Sequence, residues 1–492
     1  MRKLTHQLRP YLLKPSVFYN NHFHEPHSTR IMPVGSPSTG ESIGEVALSD
    51  EVDVNTAVAA AQTAFTKWRD TSMADRAEML LAVGHAIKEN ARELAELDAL
   101  NTGNPITVME GDLKAVTQRF SVYAGLGFEL KGETVPIDAR HIDYTLRQPL
   151  GVCAQLASFN RPAMFVSWLT AAPLIAGNTV VYKPADWTPL SAMRIAEIFS
   201  KILPEGVFNV VTGDKTTGSF LVRHPDVKKV SLIGSKETGA TVRVEAARGF
   251  KPVSMELGGK NPFIAFPDVD TDVLAHYAVD GMNFRWAGQS CCSTSRVFLH
   301  KAIHDEVLAK MVALVNQFVP SSPFNRDCQM GSMVSQPHYN KVLGYIETGK
   351  QEGAKLLCGG EHPNTEETKG GYYIRPTIFS NVTDDMTIAR EEIFGPVMSV
   401  MTPWENEDEL VARANSLEYG LSASIWTNRM TDAHRMASGI RAGYKWINAP
   451  AKHYMGNPFG GVKHSGVGRF ACFRDIESFT VEENVNVGLG YT

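Results

Sequence analysis

The sequence predicts an α/β fold with two doubly wound parallel sheets. From residue 150 onward, short β-branched apolar runs, each bounded by Gly or Pro, alternate with stretches of helical spacing. A second set of such units begins after Gly258 and Gly259. No glycine-rich linker separates the two sets, so we expect two domains that share a cleft, where ligands commonly bind.

The strands of both sheets are predicted to be separated by helices, because such alternation is typical of parallel sheets with crossover connections. The clearest helix covers Thr188–Leu203, where Thr188 suits an N-cap and Pro189 the first helical position. Strand candidates of the first sheet are Val152–Phe159, Thr179–Tyr182, Val207–Val211 and Val230–Ile233. Strand candidates of the second sheet are Ile264–Phe266, Arg296–His300 and Ser399–Met401.

Two amphipathic helices are predicted upstream of the sheets, and the polar segment Glu361–Gly371 is predicted to be an exposed loop. The apolar face of the first helix consists of Val54, Val58, Ala61, Phe65 and Trp68. The apolar face of the second consists of Leu80, Val83, Ile87 and Leu94.

Composition and charge exclude several classes of protein. The 492 residues include 48 Lys and Arg and 53 Asp and Glu, and the net charge of −5 argues against nucleic-acid or polybasic membrane binding. With 43% apolar residues and no low-complexity tract, extended disorder is not expected. The longest apolar stretch, Met164–Gly177, is too short to span a bilayer, so no membrane segment is predicted.

Six cysteines are too few for a disulfide framework in a chain of this length, and they lack metal-ligand spacing. We therefore predict free thiols, no metal site and a cytoplasmic location. The basic N-terminus, MRKLTHQLRPYLLKP, is superficially similar to a transit peptide, but Pro10 and Pro15 interrupt any amphipathic helix.

A candidate nucleophile, Cys291, lies in Gly288–Ser293, where small and polar residues leave room for a substrate carbon. A cysteine nucleophile needs its thiolate form, an oxyanion donor and usually a base. Most lone buried cysteines are structural, so this interpretation depends on the presence of the other two groups.

Candidates for both groups are present. Glu256 lies in an apolar strand before Gly258, where desolvation would raise its pKa as a general base for water requires. The structural alternative pairs Glu256 with Lys260 or Lys251. Asn160 follows an apolar strand, and its amide would suit an oxyanion, although Asn is also a common turn-former.

Two strand–Gly–helix units suggest dinucleotide binding, since helix N-termini offer amide groups to phosphate. Gly213 follows one strand, and Gly234 with Ser235 follows another, but neither unit is a GxGxxG motif, so the signal alone is weak. Lys183 and Asp186 come directly after a strand and add a cation and a carboxylate for ribose hydroxyls.

Together these segments resemble the aldehyde dehydrogenase superfamily from about Ser36 to Val487, with betaine-aldehyde and semialdehyde dehydrogenases as the nearest types. The matching blocks follow one another in order, which makes a chance match negligible. They are SPSTGESIGEV, AAPLIAGNTVVYKP, GVFNVVTG, MELGGKNP, GQSCCSTSR, VLGYIETGKQEGAKLLCGG, EEIFGP and NPFGGVKHSGVGR.

The resemblance implies a covalent mechanism for aldehyde oxidation. Cys291 would be the nucleophile, Glu256 the general base, and Asn160 the side-chain half of an oxyanion hole completed by the Cys291 amide. The thiolate would add to the aldehyde, hydride would pass to the nicotinamide, and water activated by Glu256 would hydrolyse the thioester to a carboxylic acid.

The resemblance also implies the residues that hold the cofactor. An acidic residue at 186 would repel a 2′-phosphate, so NAD is expected rather than NADP. The implied cofactor residues are Lys183, Asp186, Gly213, Gly234, Ser235, Leu257, Glu392 and Phe394.

The domain organisation implied by the family interrupts the first domain. Residues 1–127 and 147–257 would form the cofactor-binding domain, and residues 258–455 the catalytic domain. Residues 128–146 and 475–492 would form a small β oligomerisation arm, which implies a homodimer or a homotetramer.

Several residues depart from the family's pattern, among them Lys215 and Ile233 in the dinucleotide blocks. Phe159 stands where relatives have a Trp, so the indole N–H that would reach a phosphate is missing, and reduced cofactor affinity is expected. Leu169 and Phe470 stand where many relatives have a Lys and a Glu that relay protons to the catalytic carboxylate. We therefore expect a dry, high-pKa Glu256 and rate-limiting thioester hydrolysis at low pH.

The residues expected around the substrate entrance predict an aldehyde with an anionic or strongly polar tail. Arg161 follows the oxyanion Asn, and Arg285 matches the Arg that succinate-semialdehyde dehydrogenases use on a carboxylate. Lys452 and His453 add two potential cations. A trimethylammonium substrate would instead want an aromatic box. The aromatic residues left for one are Trp168, Trp286 and Phe459. The alternative is that one or both arginines point to solvent or pair with local acids.

Two other functions fit the same residues. A CoA-acylating relative would release the thioester to CoA, but Glu256 argues against it because a hydrolytic base would be unnecessary. A catalytically silent binding protein on this fold is the alternative from another class. The intact Cys291, Glu256 and Asn160 argue against that alternative.

Overall fold

The computed structural model describes residues 14–449 and 452–490, so most of the basic N-terminal segment considered for targeting lies outside the described residues. The strands are β1 (Val17–Tyr19), β2 (His22–His24), β3 (Ile31–Ser36), β4 (Glu41–Ala47), β5 (Thr134–Val135), β6 (His141–Pro149), β7 (Val152–Leu156), β8 (Thr179–Lys183), β9 (Phe208–Val210), β10 (Val227–Ile233), β11 (Val253–Glu256), β12 (Pro262–Ala265), β13 (Arg296–Leu299), β14 (Lys355–Cys358), β15 (Thr377–Val382), β16 (Val397–Met401), β17 (Ser422–Trp426), β18 (Tyr444–Ile447), β19 (Gly466–Val467) and β20 (Thr480–Gly488).

The α-helices lie between these strands, and short 3₁₀ turns add to them. They are α1 (Glu51–Trp68), α2 (Met73–Glu89), α3 (Ala91–Thr102), α4 (Ile106–Leu126), α5 (Pro162–Ile175), α6 (Leu190–Phe199), α7 (Lys215–Arg223), α8 (Lys236–Ala247), α9 (Thr271–Gly281), α10 (His304–Val315), α11 (Gln336–Gln351), α12 (Thr387–Arg390), α13 (Glu407–Asn415), α14 (Met430–Gly439) and α15 (Phe473–Glu477). Within the described ranges, no helix is long and apolar enough to cross a membrane.

The first sheet has the strand order β19-β11-β10-β7-β8-β9-β1-β2. Its five central strands are parallel, and antiparallel strands extend both edges. Alternate residues of β7 join different apolar clusters, Val152 on one face and Cys153 on the other. Helices therefore cover both faces, as a doubly wound sheet requires.

The second sheet has the order β14-β15-β16-β13-β12-β17-β18, and only its edge strand β14 is antiparallel among these described strands. The predicted α/β class with two doubly wound parallel sheets is confirmed. A separate three-stranded sheet, β20-β6-β5, contains the segments predicted to form the arm, and β6 continues beyond residue 146 to Pro149.

Two predicted helix limits were wrong. α6 begins at Leu190 with Pro189 as its N-cap residue, and the Thr188 hydroxyl instead donates to the Phe159 carbonyl at 3.2 Å. The second upstream helix is divided at Asn90, whose side-chain amide donates to the Ala86 carbonyl at 2.8 Å. Leu94 therefore belongs to α3, although it is fully buried as predicted.

Candidate active site

Two cavities meet at the three predicted catalytic residues. The first, of about 150 Å³, is also lined by Gly234 and Gly258, and we call it the glycine-side cavity. The second, of about 50 Å³, is also lined by Trp168, and we call it the tryptophan-side cavity. Both are lined by Asn160, Glu256 and Cys291. A molecule bound to these three residues can therefore contact ligands in both cavities.

The parallel strands of the first sheet bring these residues together. Glu256 is the last residue of β11 and pairs with Ile233 at the end of β10. Asn160 lies between β7 and α5, at the same edge of the sheet. Cys291 lies in the loop before β13, so the second domain supplies the thiol. Ligands of open parallel sheets bind at this carboxyl edge.

Side-chain amides hold the Cys291 loop. Asn261 Nδ2 donates to the Cys291 carbonyl at 2.7 Å and to the Ser293 carbonyl at 3.0 Å. Asn160 Nδ2 donates to the Gln289 carbonyl at 2.9 Å. The structural role of Asn261 was missed in the sequence, although Asn261 and Gln289 belong to the MELGGKNP and GQSCCSTSR blocks.

The Glu256 carboxyl is buried and faces the Cys291 thiol. Burial, followed by the neighbouring Cys291, raises the pKa of Glu256 well above its usual value. Contact with the Cys292 thiol, at 3.9 Å between sulfurs, and then burial raise the pKa of Cys291. Leu169 and Phe470, at the two relay positions, are each 1% exposed.

The tryptophan-side cavity has aromatic walls and a cation. The rings of Trp168 and Phe459 meet edge to face, with centroids 5.7 Å apart. Arg161 also lines the cavity, its guanidinium carbon 4.1 Å from the centroid of the Trp286 ring. Arg161 Nη1 lies 3.5 Å from Oδ1 of the buried Asp112.

The predicted convergence of four cations is not observed. Arg161 and His453 line the tryptophan-side cavity, but Arg285 and Lys452 are exposed and do not line it. Side chains in a 3₁₀ turn point about 120° apart. In the turn Phe284–Trp286, the Trp286 ring faces Arg161, and Arg285 is consequently directed outward.

A third cavity, which we call the apolar slot, has a volume of about 320 Å³ and lies between α7 and α8. Its apolar lining residues are Leu156, Val222, Leu232 and Val242. Lys183 also lines it, and burial lowers the Lys183 pKa while the nearby Asp186 opposes that shift. Asp186 itself does not line the slot, and its Oδ1 accepts the Trp187 N–H at 3.1 Å.

Ser235, Glu392 and Gly258, on the glycine-side cavity, are held in place by specific contacts. Ser235 lines that cavity and caps α8, its Oγ accepting the Thr238 N–H at 3.3 Å. Glu392 accepts the Gly259 N–H at 2.9 Å, and a Cβ on Gly258 would lie within 1.9 Å of the Glu392 carboxylate. Burial raises the pKa of Glu392 to about 7.

Phe394 lines the same cavity, and the Phe159 ring meets it edge to face at 5.6 Å. His338, which was not predicted, shares a 2.7 Å hydrogen bond with the Phe394 carbonyl. Gly213 and Leu257 do not line the described cavities. Gly213 has a φ of 150°, and Leu257 packs where a Cβ on Gly239 would lie.

The chemistry of these residues fits a dinucleotide: the slot is apolar, the N-terminus of α8 offers backbone N–H groups, and Glu392 offers a half-buried carboxylate. Among the described residues, no cluster of His, Cys, Asp or Glu has the geometry to hold a metal ion.

A family model described as "Aldehyde dehydrogenase family" matches residues 23–485. The chain belongs to the aldehyde dehydrogenase family. The aldehyde dehydrogenase tropH of Talaromyces stipitatus is 42% identical over 485 residues, which are 97% of this chain and 94% of that relative. A betaine aldehyde dehydrogenase of Rhizobium etli is 42% identical over 480 residues, 97% of this chain and 98% of that relative.

Solved aldehyde dehydrogenases share the fold. The NAD+ complex of the Bacillus cereus enzyme has a TM-score of 0.94 and 35% identity, covering 98% of this chain and 99% of that chain. HpcC from Thermus thermophilus has a TM-score of 0.96 and 33% identity, covering 100% and 96%. The predicted family resemblance is confirmed. PnpE from a Pseudomonas species was also solved with NAD. Its NAD complex has a TM-score of 0.95 and 35% identity, covering 97% of this chain and 98% of that chain. The expectation of NAD is therefore confirmed at the level of the family.

Proposed function

We propose that this aldehyde dehydrogenase oxidises an aldehyde to a carboxylic acid through a covalent intermediate on Cys291. The observation that supports this most directly is the junction of the glycine-side and tryptophan-side cavities at Cys291, Glu256 and Asn160. A thiol that faces two cavities can hold a substrate carbon from one side while a redox cofactor approaches from the other.

NAD would occupy the apolar slot and the glycine-side cavity, and when bound it accepts the hydride of the aldehyde carbon. Lys183 and Asp186 would hold the adenosine ribose, and the Ser235 end of α8 the phosphates. Glu392 and Phe394 would hold the nicotinamide ribose and ring. Gly213, Gly234 and Leu257 would shape the backbone around them.

The chain's own groups would carry the covalent chemistry. The Cys291 thiol loses its proton to solvent, and the thiolate adds to the aldehyde carbonyl carbon. The second N–H of the Asn160 side chain and the Cys291 backbone N–H would donate to the resulting oxyanion. After oxidation to the thioester, deprotonated Glu256 takes a proton from water, whose oxygen attacks the thioester and releases the acid and the thiolate.

The test of this chemistry is a pair of cysteine variants. Cys291→Ala is expected to abolish NADH formation, whereas Cys328→Ala, at a buried cysteine that lines neither cavity, should retain most of the activity. Turnover that requires CoA would identify the acylating alternative. If the wild-type chain forms no NADH with aliphatic, aromatic, cationic or carboxylated aldehydes, the silent binding protein is the better description.

We further propose that the aldehyde has an anionic or strongly polar tail bound by Arg161, with Trp168 and Phe459 flanking its apolar part. Arg285 is now the matched control, because it is exposed. Arg161→Met should reduce kcat/KM for a semialdehyde acid about tenfold more than for its neutral analogue, whereas Arg285→Met should not discriminate between them. Equal losses on both substrates in Arg161→Met would reject the anionic tail.

The assembly is proposed to be a homodimer or a homotetramer built through the arm at 128–146 and 475–492. Ile142, Leu146 and Val481 lie on one face of the β20–β6 ribbon and are each more than a third exposed, which supports burial by a partner. Light scattering would give the subunit number.

The proposed domains remain 1–127 with 147–257, and 258–455, and β19 joins the first sheet from outside both ranges. Six unpaired thiols support a reducing, cytoplasmic location.

A further inference from the structure

A buried arginine lies directly behind the tryptophan-side cavity. Arg119, in the middle of α4, is 1% exposed, and its guanidinium carbon is 3.9 Å from the centroid of the Trp168 ring. None of its three guanidinium nitrogens makes a well-formed hydrogen bond with a described residue. Buried guanidinium groups are normally held by several such bonds, so the stack on the indole face is an important contact of this side chain beside its interaction with Tyr123.

The charge of Arg119 is balanced by the neighbouring Tyr123 oxygen and by a buried acid. One turn further along α4, the Tyr123 hydroxyl donates to Asp475 Oδ2 at 2.5 Å, and Asp475 is itself 1% exposed. Asp475 and the Tyr123 oxygen are the groups that favour the charged guanidinium. A second cation, Lys229, is directed to Ser254 and Ser478 by three hydrogen bonds of 2.9 to 3.1 Å. Asp475 therefore balances the charge of Arg119 while the guanidinium stays stacked on the Trp168 ring.

The Trp168 ring has no other polar anchor among the described residues. Its indole nitrogen makes no hydrogen bond with them. Its remaining ring contacts are the edge of Phe459 at 5.7 Å and the tilted ring of Phe470 at 6.5 Å. Both contacts are apolar, whereas the cation centred on one face adds an electrostatic attraction that favours one position of the ring.

We propose that Arg119 is a positioning residue for the aldehyde, because its stack fixes the Trp168 indole that forms one wall of the tryptophan-side cavity. This inference rests on the assignment of that cavity to the aldehyde in the proposed function. It assigns Arg119 no contact with NAD, because Arg119 does not line the glycine-side cavity or the apolar slot.

The test is a double-mutant cycle between Arg119 and Trp168. Arg119→Met keeps an unbranched apolar stem and removes the cation, and it should raise the aldehyde KM about tenfold with kcat within about twofold and the KM for NAD unchanged. Arg119→Lys should recover part of the loss, since it keeps the charge. In a Trp168→Ala background, Arg119→Met should change the aldehyde KM by less than about twofold.

The matched control is Arg76→Met, at another buried arginine, which contacts the Thr71 carbonyl at 2.7 Å and does not touch the cavity. If Arg119→Met raises the aldehyde KM equally in both Trp168 backgrounds, the positioning role is wrong. The same holds if it lowers only the melting temperature, as Arg76→Met should.

If Arg119→Met does not fold, Tyr123→Phe takes its place. This variant removes the hydrogen bond from Tyr123 to Asp475 and should raise the aldehyde KM two- to threefold; an unchanged KM would reject the proposal. Cys291→Ala is measured first, so that a misassigned cavity is recognised separately by its retained activity.

Discussion

Arg161 enters the tryptophan-side cavity as half of an ion pair, with Nη1 3.5 Å from Oδ1 of Asp112. Asp112 is 6% exposed and lies on α4, and the Arg161 guanidinium also stacks on Trp286. The cation in the cavity is therefore partly neutralised before any substrate binds. A substrate carboxylate must share Arg161 with Asp112 or replace it.

Removing the charge of Asp112 should consequently sharpen the preference for anionic aldehydes. We expect Asp112→Asn to improve kcat/KM for a semialdehyde acid about three- to tenfold relative to its neutral analogue, because Arg161 loses its competing partner. The measurement is a comparison of kcat/KM on the two aldehydes. Asp98→Asn is the control, since Asp98 is also a buried acid but accepts the Ala163 N–H and has no ion pair with Arg161. A change in favour of the neutral aldehyde would contradict this account.

The bonds from Asn261 to the carbonyls of Cys291 and Ser293 should matter for rate rather than for cofactor binding. Asn261→Ala is expected to lower kcat by about 10- to 100-fold, because small displacements of a nucleophile are costly, while the KM for NAD stays within about twofold. Asn209→Ala is the matched control: Asn209 also donates to two carbonyls, of Val180 and Gly206, but lies far along the sheet. Similar loss of kcat in both variants would show a general folding defect instead.

The dry position of Glu256 predicts a specific pH dependence. Glu256 must be deprotonated to accept a proton from water, and burial and Cys291 raise its pKa, so lowering the pH protonates it sooner than an exposed Glu. We expect a pre-steady-state burst of NADH that grows as the pH falls, with slow thioester hydrolysis afterwards. Glu256→Gln should lower the steady-state rate at least about 100-fold at high pH, because the general base is lost. Stopped-flow absorbance would detect the burst, and its absence across the pH range would refute the hypothesis.

The sequence was sufficient to predict those residues whose position depends on topology. Glu256 ends one parallel strand of the first sheet and Asn160 follows another, so the alternation of strands and helices is what brings them to one edge. The predicted strand Val152–Phe159 was too long, because the hydrogen-bonded ladder of β7 ends at Leu156.

Side-chain direction and long-range partners were not predictable in the same way. Arg285 and Trp286 are neighbours, yet one is exposed and the other packs against Arg161, a difference set by a single turn of backbone. Arg119 and Asp112 belong to α4, whose spacing indicates only that it is a helix. Their contacts with α5 depend on how the two helices pack, which no local pattern of residues records.

Asp186 provides a last test, of cofactor choice. Its carboxylate acts on the charge of Lys183, which lines the apolar slot, and accepts the Trp187 N–H at 3.1 Å. Asp186→Asn keeps nearly the same shape and removes the repulsion of a 2′-phosphate, so kcat/KM for NADP should rise about tenfold while that for NAD stays within about threefold. The matched control is Glu245→Gln, because Glu245 lines the slot itself but its charge is paired with Arg223 at 2.6 Å. An equal gain in NADP use in the Glu245 variant would mean that the general negative charge of the slot, rather than Asp186, excludes the phosphate.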